Sequence, residues 1–178
     1  MTTDTNIPSL DSLEYIPFLD AEGQLPEQFQ GKVGVYAIFD RDKILQYVGY
    51  SRDVDLSLKQ HLVRQVQKCY WIKVQTSDRP SRTLLENIRN AWLSDGTISP
   101  GDRSQESEWT EPIDAKVTMT ADEQNSYASG DEIMQTKLLK NVARRVEQQI
   151  LAELESRGLK MQIRFNPKLK EKGLLDLK

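Results

Sequence analysis

Two short apolar runs, residues 33–39 (VGVYAIF) and 44–50 (ILQYVGY), divided by the polar string Asp40-Arg41-Asp42-Lys43, narrow the fold more than any other feature. Both are rich in β-branched and aromatic residues, and so short a polar break between them predicts a β-hairpin. A turn centred on Arg41 and Asp42 sets Tyr36 opposite Tyr47, Gly34 opposite Gly49 and Ile38 opposite Leu45. Side chains alternate along a strand, so these pairs share one face. Two phenols beside two glycines are then expected to leave an open, polar-lipped hollow that another backbone could approach. On spacing alone a plain hairpin is the simpler reading, and Arg-Asp is not the turn chemistry that fixes a tight register.

Beyond the hairpin, Val54, Leu58, Leu62 and Val66 recur every four residues and predict an amphipathic helix, with Ser57, His61, Arg64 and Lys68 on the adjacent stripe. A strand over residues 70–76 follows. The string Asp78-Arg79-Pro80-Ser81 supplies start signals for a second helix carrying Leu84, Leu85, Ile88 and Trp92, which Asp95-Gly96 closes. Residues 97–112 are rich in Gly, Pro, Ser and acids and read as a loop. Residues 114–118 are expected to form another strand, Asp131 to cap a long helix running to Arg157 with Gly158 as its stop, and residues 161–165 a last strand. The organisation expected is an N-terminal strap (1–31), a central domain (32–102) and a C-terminal extension (103–178) whose long helix packs on the same domain or forms a homodimer seam.

A chain of 178 residues can form one good core with a modest extension. No apolar run approaches membrane-spanning length and the first eleven residues are polar and acidic, so a cytoplasmic protein with no membrane partner is expected. The single cysteine, Cys69, precedes Tyr70-Trp71-Ile72 and reads as a buried small hydrophobe; with one Cys and one His, zinc chemistry has no support. The net charge of −3 conceals segregation: −6 over residues 1–31, +5 over 32–90, −8 over 91–132 and +6 over 133–178. The hairpin-bearing and C-terminal segments are the basic ones, as ordinary solvated helix faces or as a patch for an anionic partner.

Gly34-Val35-Tyr36, ten residues, then Tyr47-Val48-Gly49, followed by Ser51, a helix with His61, a strand and a helix with Glu86, resembles the signature of the GIY-YIG nuclease family over about residues 32–102. The resemblance implies an α/β fold, a small and mainly antiparallel three-stranded sheet with packed helices. It also implies site roles. Tyr36 and Tyr47 would be the two motif tyrosines, one of them helping to activate a water, His61 would assist proton transfer, Glu86 would bind Mg²⁺ weakly, and Gly34, Gly49, Ser51 and Ser57 would line the seat of a phosphodiester. Glu86 has a second reading, since Thr83-x-x-Glu86 is also a capping-box pattern.

The departures from that pattern are as informative. Ser57 stands where the family places a phosphate-clamping arginine, and a hydroxyl cannot supply a fixed charge and a planar fork of donors. Tyr50 stands where lysine is common, and Asp102 is the best match to an expected asparagine. Arg52 is the substitute cation expected; Arg64 lies about 10 Å along the helix from Ser57 by helical rise. Three readings follow: a catalytically degenerate nuclease-like protein binding nucleic acid or another phosphorylated partner, an active Mg²⁺-dependent endonuclease using Arg52, and a protein-interaction module on the same scaffold. The first is preferred because of Ser57.

Overall fold

A computed structural model describes residues 7–79, 81–95 and 107–178. The chain divides into two compact units, Met1–Trp109 and Thr110–Lys178. The strap is thus part of the first unit, and the boundary expected at residue 102 lies outside the described residues.

The first unit is mixed α/β. Its strands β1 (Ile16–Pro17), β2 (Val33–Phe39), β3 (Leu45–Ser51) and β4 (Trp71–Ser77) form one antiparallel sheet in the order β1-β4-β2-β3, so the three expected strands are joined by a fourth, supplied by the strap. The strap is fastened along its length: Ile16 pairs with Ile72, the Phe18 amide donates to the Tyr70 carbonyl at 3.0 Å, Lys73 Nζ donates to the Leu10 carbonyl at 3.0 Å, and Trp92 Nε1 donates to the Pro8 carbonyl at 2.9 Å. Lys73 also sits 4.1 Å from the Tyr15 ring centroid, a cation–π contact that offsets part of the cost of burying its ammonium.

The hairpin forms as the composition predicts, in a different register. Tyr36 pairs with Gly49 and Ile38 with Tyr47, two residues removed from the expected pairing. The turn is the cause. Asp40 Oδ1 accepts from the amides of Asp42 and Ile44, Lys43 adopts a positive φ of 62°, and the ladder is irregular between Ile38 and Phe39. An aspartate that bonds the backbone two and four residues on organises a longer loop than the Arg-Asp turn assumed. A shift of two preserves the faces, so Tyr36 and Tyr47 still share one.

On the opposite face Val35, Ala37, Phe39, Leu45 and Val48 pack against Leu85, Ile88 and Trp92 of helix α2 (Arg82–Asp95) and Leu10 of the strap. Helix α1 (Val54–Arg64) covers the tyrosine face. Asp53 caps it by accepting from the Leu56 amide, and Val54, Leu58 and Leu62 are buried as their spacing predicts. His61 is buried too, at 4 % exposure, so the stripe it heads is not a solvated face. Helix α2 is capped by Ser81, whose Oγ accepts from the Leu84 amide, and not by the Thr83–Glu86 box. The short helix α3 (Ser107–Thr110) buries Trp109 inside a stretch expected to be loop. The expected helix stop at Gly96 lies outside the described residues.

In the second unit, β5 (Ile113–Asp114) pairs antiparallel with β6 (Leu174–Leu175). The strand expected over residues 114–118 is instead mostly a 3-10 turn, Ala115–Thr118, because the Asp114 carboxylate accepts from the Lys116 amide. Helix α4 (Ala121–Ser129), not foreseen, starts on a reciprocal capping box between Thr120 and Glu123. Helix α5 (Glu132–Ser156) begins at Asp131 and gives way to Gly158 at φ 86°, as expected. Its row Leu139, Val142, Ala143, Val146, Ile150 and Leu154 is buried. Residues 161–165 make only the single bridge Phe165–Leu177, and helix α6 (Pro167–Lys170) precedes β6. Among the described residues no helix is long and apolar enough to cross a membrane.

A Cβ added at Gly34 would lie 2.6 Å from the Gln75 carbonyl oxygen and 3.1 Å from Thr76 Cα, both backbone of β4. Relief requires β2 and β4 to separate, so Gly34→Ala is expected to lower stability by about 1–3 kcal/mol, read as a reduced urea midpoint with unchanged slope.

Candidate functional site

Alternation along β2 and β3 brings Tyr36, Tyr47, Gly34, Gly49 and Ser51 to one face, and helical spacing on α1 lowers His61 onto them. Tyr36 is 3 % exposed, and its hydroxyl lies 2.7 Å from His61 Nε2. Tyr47 is half-buried, its ring centroid 6.3 Å from that of Tyr36 and 4.8 Å from that of His61. Trp109 closes the group. Its indole stacks on Tyr47 at 5.2 Å with 9° between planes and meets His61 edge-on at 5.7 Å. The expected hollow is therefore filled: a Cβ at Gly49 would meet Tyr36 Oη and Tyr47 Cε1 at 2.8 Å each. Gly49 admits the tyrosines themselves, not an outside backbone.

A hydroxyl string leads away from Tyr36. Ser57 stands close enough to the phenol to act on it electrostatically, Ser57 Oγ donates to Ser51 Oγ at 2.7 Å, and Ser51 Oγ donates to the Asp53 carbonyl at 2.9 Å. Ser51 and Ser57 thus serve each other and the start of α1. Arg52 is exposed and makes no hydrogen bond or ion pair among the described residues, so it does not join the group. The cation that does is Arg64, whose Nη1 donates to the Trp109 carbonyl at 2.7 Å. Helical rise measured from Ser57 had set it aside; the length of an arginine side chain brings its charge to bear.

Glu86 is elsewhere. Its carboxylate accepts from the Tyr50 hydroxyl at 3.0 Å and from Arg82 Nε at 2.8 Å, and Arg82 followed by Tyr50 holds its pKa below the usual carboxylate value. Tyr50 packs with the α2 core, on the face away from Tyr36 and Tyr47. The carboxylate expected to hold Mg²⁺ and the tyrosines expected to activate water therefore do not converge. Among the described residues no cluster of three or more His, Cys, Asp or Glu is arranged to hold a metal ion. Asp102 lies outside the described residues.

Electrostatics at the cluster favour neutral forms. Burial, then the neighbouring Tyr47, pushes the Tyr36 phenol well above its ordinary value; Ser57 and Arg64 pull weakly the other way. Burial first, and Arg64 second, lower the His61 pKa to about 3, against a weaker interaction with the Trp109 carbonyl. Nδ1 has no partner of ordinary hydrogen-bond geometry among the described residues. The site is a buried phenol–imidazole pair under an aromatic cap.

No family model matches the chain. The chain is 28 % identical over 103 residues to the bifunctional monothiol glutaredoxin-S16, chloroplastic, of Arabidopsis thaliana, a match covering 55 % of this chain and 33 % of the relative. The chain thus spans about a third of the curated relative it matches. This corrects the functional expectation. The relative carries the name of a thiol-redox protein, and the nuclease-like readings, degenerate or active, with the endonuclease, nucleic-acid and scaffold readings attached to them, give way to it. The separation of Glu86 from the tyrosines, the idle Arg52 and the filled hollow remove the geometry those readings relied on.

The His61 shift makes stability depend on pH with a definite sign. The folded-state value of about 3 lies below the unfolded value near 6.5, so the unfolded chain takes up the proton first. The contribution is fully present above about pH 6.5 and is lost as pH falls toward 3, with a slope of up to about 1.4 kcal/mol per pH unit. Urea midpoints across that window should fall with acidification, and His61→Gln should flatten the slope. Tyr36→Phe, which strands Nε2 in a buried site, should cost about 1–3 kcal/mol at neutral pH.

Proposed function

We propose that this chain serves thiol–disulfide redox chemistry as a companion to a monothiol glutaredoxin and does not itself carry the exchanging thiol. The match to one third of a bifunctional monothiol glutaredoxin supports the setting. The state of Cys69 supports the division of labour. A glutaredoxin cysteine works as an accessible thiolate. Cys69 is fully buried between α1 and β4, and its thiol donates to the His61 carbonyl at 3.5 Å. A thiol with no exposed surface is out of reach of glutathione in the folded protein. A reducing compartment, the cytoplasm in this reading, keeps such a lone thiol reduced. The α/β scaffold we read as GIY-YIG in type, which concerns the path of the chain and not its activity.

Incubating the native protein with glutathione disulfide and weighing the product tests the division of labour. Cys69 is expected to form its mixed disulfide about 10³-fold or more slowly than in urea, the factor set by the small fraction of open protein. Calorimetric titration with a monothiol glutaredoxin is expected to show saturable binding. Rapid glutathionylation of native protein would make the chain itself the thiol catalyst, and the absence of binding heat would remove the companion role.

A further inference from the structure

On the face of the sheet away from Tyr36 and Tyr47, beside the hairpin turn, three further aromatic rings meet. Register places two of them: Phe39 of β2 pairs with Trp71 of β4, and the buried Lys73 lies two residues along β4 on the same face. The strap carries Tyr15 over them. Its ring meets Phe39 edge-on at 4.9 Å, and Trp71 at 6.3 Å with 73° between planes. Two rings set nearly at right angles make a corner of π faces, with Trp71 half-buried and Tyr15 37 % exposed at the lip. A cation already sits in it. Lys43, exposed on the turn, holds Nζ 4.9 Å from each of the Tyr15 and Trp71 centroids, within the range of a cation–π contact. Asp40 and Asp42 belong to the same turn, yet among the described residues the Lys43 ammonium pairs with neither.

Lysine is an imperfect occupant of such a corner. Its ammonium is compact and strongly hydrated and carries N–H donors that a π face satisfies poorly. Its backbone also holds a φ of 62°, where a residue other than glycine is strained. A trimethylated ammonium keeps the charge, has no N–H to leave unsatisfied and surrenders less hydration, so crossed aromatic faces favour it over the primary amine. We propose that the Tyr15–Trp71 corner recognises a trimethylated lysine side chain of a partner protein and is closed in the free chain by Lys43. This goes beyond the thiol-redox reading and does not rest on it.

The present occupant indicates the kind of guest. Lys43 delivers its nitrogen on a flexible four-carbon stem from an exposed turn, which is how a lysine on the surface of a partner would arrive. Charge agrees with a cationic guest. The segments that frame the corner, residues 11–15 and 40–43, hold the carboxylates Asp11, Glu14, Asp40 and Asp42 against Arg41, Lys43 and the Lys73 ammonium, which lies 4.1 Å from the Tyr15 centroid. Entry asks only that Lys43 swing into solvent, so one cation replaces another between the rings and the core beneath them is undisturbed. Apparent affinity is then lowered by the fraction of chains in which Lys43 occupies the corner, and removing that side chain restores it.

Titration of the whole protein with Nα-acetyl-trimethyllysine N-methylamide, followed through the sequentially assigned indole N–H resonance of Trp71, tests the site. A weak, saturable shift of Trp71 is expected in the wild type. Lys43→Gly removes the competing ammonium and suits the positive φ, and should tighten binding by about threefold to tenfold. The unmethylated lysine amide should bind that variant about tenfold more weakly, and Tyr15→Leu should abolish the Trp71 shift. Circular dichroism establishes that each variant is folded; should Tyr15→Leu fail to fold, Lys43→Gly and the comparison of methylated with unmethylated amide decide alone. No saturable Trp71 shift in folded Lys43→Gly, equal affinity for the two amides, or undiminished binding by folded Tyr15→Leu would overturn the site. Unchanged affinity in Lys43→Gly would overturn its closure by Lys43, and choline binding as tightly as the trimethyllysine amide would overturn the assignment to a lysine side chain.

Discussion

Strand β2 has a hydrogen-bonded neighbour on each edge and a covered face on each side, and the first unit is organised around that double confinement. Val35, Ala37 and Ile38 are fully buried and Tyr36 and Phe39 nearly so. A central strand must satisfy every backbone group through its neighbours, and here β3 and β4 do so along its whole length. The constraint propagates outward. Residues that alternate toward α2 are apolar and build the larger core, while those that alternate toward α1 include the one large polar side chain, Tyr36. A buried phenol has to find a partner. Burial on β2 therefore calls for His61, and the His61 position fixes the rotational setting of α1.

Enclosure on that face changes the meaning of its functional groups. Histidine near neutrality ordinarily alternates between charged and uncharged forms, and tyrosine can ionise in a sufficiently polar site. Desolvation moves the two in opposite directions, each away from its charged state. Arg64 does not reverse this, because its guanidinium is spent on the Trp109 carbonyl and its charge further disfavours an imidazolium. Trp109 completes the enclosure by stacking on Tyr47, the one cluster ring that is half-buried and not fully so.

Local pattern carried the sequence a long way. The hairpin strands, α1, the α2 core residues and the Asp131-to-Gly158 span of α5 were all legible, because each rests on periodicity or capping that a few neighbouring residues specify. The α4 capping box, Thr120 with Glu123, is a local signal of the same kind. What escaped depends on longer reach. Register turned on Asp40 reorganising its own loop and on a lysine, not a glycine, taking the positive φ. Glu86 reads as a metal ligand by its place in a motif, whereas its carboxylate accepts from Arg82 one turn earlier and from Tyr50, 36 residues earlier and on the other face from Tyr36 and Tyr47. Trp109 lay in an acid-rich stretch read as loop. A large apolar residue alone in polar surroundings was itself the signal, since such a residue seldom stays in water.

The same enclosure bears on what chemistry the first unit can host. General acid–base work needs a group that exchanges protons with solvent or substrate near neutral pH; His61 is sealed and stays neutral well below that range. Thiol exchange needs an exposed thiolate, and Cys69 is fully buried beside the same helix, its thiol donating to the His61 carbonyl. Both groups are withdrawn from solvent by one structural fact, the fit of α1 against β2 and β3.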